Sequence, residues 1–114
     1  MPPVVIERKA CLDELIGNML DNRKDADGNN RFIRELERSK QQDLKVYLLI
    51  QDKDYYLKLI TGEYRSKVNP KAISGMIISL LAKYPNLHII AVDRELSPSM
   101  VYKVLFYELR EKIK

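Results

Sequence analysis

Apolar and polar positions along this chain follow two rhythms, which predict the order strand, helix, helix, strand, helix, helix, strand, helix. Residues 3–9, built on the run Val4-Val5-Ile6, predict the first strand. Leu12, Leu15, Ile16, Met19 and Leu20 recur at helical spacing and predict a helix over about 12–20. Asp21 to Asn30 is polar and reads as an exposed loop. A second helix is expected from about Asn30 to Gln42, with Phe32, Ile33 and Leu36 inward. Residues 44–51 are continuously apolar after Lys45 up to Ile50, the pattern of a fully buried strand. Asp54 to Ile60 predicts a short helix carrying Tyr55, Tyr56, Leu59 and Ile60, and Thr61 to Val68 a basic loop. Asn69 and Pro70 suit the N-cap and first turn of a helix that buries Ile73, Met76, Ile77, Leu80 and Leu81 and ends at Tyr84-Pro85-Asn86. Leu87 to Val92 is the third strand. Ser97 and Pro98 open the last helix, expected to bury Val101, Val104, Leu105, Phe106 and Leu109. Strands separated by helices imply an α/β fold with a largely parallel sheet and helices on both faces.

Composition narrows the class. A chain of 114 residues is the size of one domain with a real core, and 46% hydrophobic with 32% charged residues is far from disorder. No apolar run approaches the roughly 18 residues of a membrane helix, and the first residues lack the regions of a signal peptide. The single Cys11 excludes an internal disulfide, and with His88 the only histidine the composition argues against a His/Cys zinc site. An intracellular protein fits this composition. The net charge of +4 is uneven: residues 1–43 carry 8 basic and 9 acidic side chains, residues 44–114 carry 12 and 7. The basic second part suits phosphate contacts, although many proteins that never touch DNA share this balance.

The chemistry concentrates where the first strand ends. In a strand Glu7 and Lys9 share one face and Arg8 takes the other. A carboxylate and an amine at the mouth of a buried strand are what metal-dependent phosphodiester cleavage needs. The carboxylate holds a hard divalent cation through oxygen. The ammonium stands near the attacking water and the charge that builds on phosphate. The plain alternative is a strand end that becomes charged where it meets solvent.

The longer string Glu7-Arg8-Lys9-Ala10-Cys11-Leu12-Asp13 makes ERKxxxD, and it resembles the signature of the XPF nuclease family, whose pattern is GD, a variable gap, then ERKxxxD. Asp27-Gly28-Asn29-Asn30-Arg31 and Phe32 to Ser39 resemble the helix that follows that family's "DGR"-like turn. Leu44 to Ile50 and Ser74 to Leu80 fall where the family has a central strand and an amphipathic helix. The resemblance covers nearly the whole chain. It implies a restriction-endonuclease-like fold, a divalent-metal-dependent endonuclease that cuts branched or flap DNA, and Mg²⁺ or Mn²⁺ as cofactor. It also implies a role in DNA repair, and a homo- or heterodimer paired through the later helices. One feature departs from the family: its GD supplies an aspartate from the preceding strand, and Met1 to Ile6 contains no carboxylate. The expectation is a nuclease domain spanning 1–114 without its N-terminal strands, and so inactive as it stands, or with a different ligand. The competing expectation is a non-cleaving DNA-binding or protein-interaction domain on the same fold. An unrelated α/β regulatory domain, with Glu7 and Lys9 as accidents, is the third.

Around Glu7 and Lys9 the supporting residues follow. The Arg8 carbonyl joins Glu7 as a metal ligand, while the Arg8 side chain either assists or forms a structural salt bridge. Asp13 completes the motif and joins Glu7 and Lys9 in the catalytic set that the resemblance implies, orienting Lys9 or Arg8 rather than touching the metal; the plain alternative, with Cys11 as N-cap, is a first-turn acid favoured by the helix dipole. Asp52 ends the strand expected beside that of Glu7, where ligands of parallel sheets gather, and is the candidate substitute ligand. Arg31 matches the family's arginine after the glycine turn, which implies a DNA-phosphate contact or a salt bridge to the site; the plain alternative is a solvated helix start. Arg65 and Lys67, with Tyr64, could touch a DNA backbone or simply be solvated. His88 reads as a core or sheet-edge residue, and Cys11 has no reactive role.

Overall fold

In the computed structural model, which describes residues 3–112, the chain forms β1 (Val4–Lys9), α1 (Leu12–Met19), α2 (Arg31–Gln41), β2 (Lys45–Ile50), α3 (Tyr55–Thr61), α4 (Pro70–Lys83), β3 (Leu87–Ala91) and α5 (Ser97–Lys112). A single 3₁₀ turn at Arg94–Leu96, absent from the sequence reading, leads into α5. The strands make a parallel sheet in the order β1-β2-β3, flanked by the five helices, which is consistent with a restriction-endonuclease-like fold. β2 is the central strand, which explains its unbroken apolar run.

The register decides which side chains meet. Glu7 stands beside Leu48 and Lys9 beside Ile50, and Leu48 and Ile50 stand beside Ile89 and Ala91. Residues in register share a face, so Glu7 and Lys9 project to the side that carries the core. There Leu12, Leu15 and Ile16 of α1, Phe32 and Leu36 of α2, Tyr55, and Ile73 and Ile77 of α4 close over Val46, Leu48 and Ile50. Burial pushes the Tyr55 phenol up to about 12.

The opposite face carries Ile6, Arg8, Tyr47, Leu49, His88 and Ile90, with α5 packed on it. The contact there is largely polar: Glu108 pairs with Lys45 at 2.6 Å and accepts the Tyr47 hydroxyl, and His88 stacks on Tyr47 at 5.1 Å. Burial, aided by the nearby Lys45, holds the His88 imidazolium below its ordinary range, so His88 is neutral at pH 7. This arrangement corrects the expected inward face of α5. Leu105, Phe106 and Leu109 are 49%, 47% and 60% exposed, while Val101 and Val104 are half-buried. The sheet face under α5 is narrow and presents Lys45 and Tyr47, so the helix turns a carboxylate toward it and its large apolar residues away. Leu81 of α4 is likewise exposed, whereas Ile73 and Ile77 are buried as expected.

Candidate active site

β1 bonds to β2 on one side only. The amides of Lys45 and Gln51 donate to the carbonyls of Pro3 and Lys9, so the odd-numbered residues of β1 face β2. Backbone groups alternate along a strand. The Arg8 carbonyl therefore points to the open edge, within the same stretch as the Glu7 carboxylate. The Arg8 side chain is exposed on the α5 side of the sheet, away from Glu7.

Lys9 is 7% exposed. Its Nζ donates to Glu7 Oε1 at 3.0 Å and stands 5.7 Å from the centroid of the Phe32 ring. Glu7 and Lys9 form one wall of a polar cleft of about 270 Å³. The end of α1 adds Asn18, the following loop Asp21 and Arg23, and α2 Arg31, Phe32 and Glu35. Arg31 thus lies in the same cleft as Glu7 and Lys9, its guanidinium 3.2 Å from Glu35 and otherwise in solvent. The Arg23 side chain and backbone bonds to Asp21 pull that carboxyl down to about 2, so it is anionic throughout the physiological range.

Asn30 builds the joint that puts α2 against β1. Its Oδ1 accepts from Ile33 N at 2.9 Å as the N-cap of α2, while its Nδ2 reaches the carbonyls of Asn18, Met19 and Asp21 at the end of α1. One buried amide caps two helices, and Phe32 follows two residues later. Asn30→Ala should destabilise the protein by about 2–3 kcal/mol, read as a lower urea midpoint, because the cap and the bonds to the α1 carbonyls are lost together.

The other motif residues go elsewhere. Asp13, in the first turn of α1, accepts from the Arg65 amide at 2.8 Å and lies 3.9 Å from its Nε. The observed pairing ties the loop after α3 to α1, with neither Lys9 nor Arg8 as the partner. Gly62, at φ +80°, starts that loop in the left-handed region. Arg65 lines a groove along α1, separate from the Glu7–Lys9 cleft, and Lys67 is exposed further along the loop.

Asp52 lies outside the cleft as well. Its Oδ2 accepts from Leu12 N at 3.1 Å and from Lys58 Nζ at 2.7 Å, and its Oδ1 from Asp54 N at 3.1 Å. Cys11 is the N-cap of α1 but makes no side-chain cap bond. Asp52 supplies that cap from the end of β2, and it would have to release these donors to reach a cation. Sequence reasoning missed Asn18, Asp21, Arg23 and Glu35 as cleft residues, and read Phe32 only as core. The Asp21/Arg23 spacing was the one available local signal, since an Asx side chain bonds readily to the backbone two residues on.

Among the described residues no group of three or more His, Cys, Asp or Glu side chains stands ready to hold a metal ion. Glu7 and the Arg8 carbonyl offer two oxygens at an open edge. That fits Mg²⁺, which commonly keeps several waters and uses one or two carboxylates with substrate phosphate, and it is a weak site on its own.

No helix among the described residues is long and apolar enough to cross a membrane. No curated protein and no solved structure matches the chain. A family model, the ERCC4 domain, matches residues 1–104, which include all of the ERKxxxD string and every strand of the sheet. The chain therefore belongs to the ERCC4 domain family, that of the XPF-type nuclease domain.

Proposed function

We propose that this nuclease-fold domain is a divalent-metal-dependent endonuclease module that hydrolyses phosphodiester bonds in branched or flap DNA, and that it acts inside the cell in DNA repair. The observation that carries the reading is the pairing of Glu7 and Lys9, 3.0 Å apart in one cleft beside an outward-facing Arg8 carbonyl. A bound Mg²⁺ or Mn²⁺ would supply Lewis acidity and lower the pKa of a bound water. Glu7 and the Arg8 carbonyl hold that charge in place. Lys9 donates from its buried ammonium to the oxygens on which charge accumulates as the P–O bond breaks. Arg31, at the cleft mouth, and Arg65 with Lys67 on the neighbouring loop serve the DNA backbone. Asp13 works indirectly by holding the Arg65 loop. The test is nicking of a branched duplex in Mg²⁺ or Mn²⁺. Nicking by the native chain that Glu7→Gln removes supports the reading, and nicking indifferent to Glu7→Gln sinks it.

A second reading is a non-cleaving DNA-binding or interaction domain on the same fold, favoured by the lack of a three-acid cluster among the described residues. Metal-independent binding of branched DNA without any nicking would favour it. On either reading we propose a homo- or heterodimer. ERCC4 nuclease domains often dimerise, and here Ile60, Ile78 and Tyr56 of α3 and α4, with Tyr102 and Phe106 of α5, leave large apolar surface in solvent. Light scattering should show a species of twice the chain mass at high micromolar concentration; a monomer there, with no partner added, counts against self-association.

A further inference from the structure

Lys9 is a cation held almost wholly out of water with a single carboxylate partner. An ammonium carries three N–H donors, and Glu7 Oε1 takes one. Such a side chain is costly to bury unless its remaining charge is met. What stands beside it is the Phe32 ring, at 5.7 Å from Nζ to centroid, within the range where the negative face of an aromatic ring attracts a cation. Phe32 is itself 5% exposed, so the contact is shielded from water. The ring's place is fixed from behind by the buried Asn30 amide, which locks the start of α2 onto the end of α1. Leu36, one turn further along the same helix face, anchors α2 in the core.

We infer that Phe32 is a positioning residue for Lys9: its ring face, with the Glu7 carboxylate, holds the ammonium in one rotamer aimed into the cleft. Glu7 is half-exposed and touches the ammonium through one oxygen, a single restraint on a flexible four-carbon side chain. The Glu7 bond restrains the ammonium from the strand and the ring restrains it from α2. The third donor is left for a group entering the cleft. Arg31, next to Phe32 in sequence, has no such role, because its guanidinium is in solvent.

The consequence for rate rests on the nuclease reading; the placement of Lys9 does not. Two measurements separate them. In proton NMR of the native protein the Lys9 ε-methylene should resonate upfield of its random-coil position, because the ammonium it carries stands over the Phe32 ring. Phe32→Leu, which keeps an apolar side chain of similar bulk, should remove that displacement, and Phe32→Tyr should keep it. In single-turnover nicking of branched DNA, Phe32→Leu should slow the chemical step roughly 10-fold, the loss of one desolvated cation–ring contact, with DNA affinity unchanged and Phe32→Tyr close to native. An undisplaced Lys9 signal in the native protein, or one indifferent to Phe32→Leu, overturns the inference, as does a nicking rate that Phe32→Leu leaves unchanged. Absence of nicking by the native protein strikes at the nuclease reading alone, and the Lys9 resonance still decides the role of Phe32.

Discussion

Replacing Glu7 with Gln should abolish metal-dependent nicking of branched DNA, whereas Lys9→Ala should slow it about 10²-fold or more and leave the metal bound. The two changes differ in what they remove. Gln keeps the shape of Glu7 but not its charge, and among the described residues Glu7 is the cleft acid carried by β1 itself, next in sequence to the Arg8 carbonyl, whereas Asp21 and Glu35 are engaged by Arg23 and Arg31. Without it the cation has carbonyl oxygen alone, which is too weak for a hard divalent ion. Lys9 contributes no ligand, so its loss falls on the charge that develops during P–O cleavage. Mn²⁺ binding followed by titration should separate the cases, lost for Glu7→Gln and retained for Lys9→Ala. The native chain should bind metal weakly and cut slowly, and a second carboxylate supplied beside Glu7 should raise both. Equal loss of metal in the two variants would mean that Lys9 acts through Glu7 and has no part of its own in the chemistry.

Asp52→Asn should destabilise the fold by about 2–3 kcal/mol, as much as Asn30→Ala. Asp52 is 7% exposed and serves three donors from two helices: the Leu12 amide in the first turn of α1, and the Asp54 amide and Lys58 ammonium at the start and middle of α3. Burial alone would raise its pKa, but the Lys58 bond and the two backbone bonds outweigh burial and hold it below the unfolded value of 3.8. A depressed carboxyl stabilises the folded state above the unfolded pKa and loses that contribution as the pH falls through the folded one. Native stability should therefore decline on acidification below about pH 4 more steeply than that of Asp52→Asn. Urea unfolding across pH 2.5–7 checks this. Unchanged stability together with lost Mn²⁺ binding would instead assign Asp52 to the metal.

Legibility in the sequence followed the range of the interactions concerned. Element order, strand positions and the Asn69 cap were readable, because periodicity and capping act within a few residues, whereas Asn30 was read only as the start of a helix. That Glu7 and Lys9 share a face was readable for the same reason, and the ERKxxxD string pointed to the nuclease family that the ERCC4 match identifies. The inward face of α5 was misread. Its apolar residues are spread around the helix, and only the sheet beneath, with Lys45 and Tyr47 reaching for Glu108, selects which side turns in.

The local pattern of this chain thus determined an α/β order with β2 at its centre, and the pairing of a carboxylate with an ammonium on one strand end. Tertiary structure alone decided what surrounds that pair. It brought Phe32, Asp21 and Arg31 to the cleft from 12 to 23 residues beyond Lys9, sent Asp13 to the Arg65 loop, and gave Asp52 to the cap of α1 across 40 residues of sequence. Those assignments depend on β1 lying parallel to β2 and on the angle that Asn30 sets between α1 and α2. Both arise from contacts distant in sequence, so the periodicity of any one segment carries no trace of them.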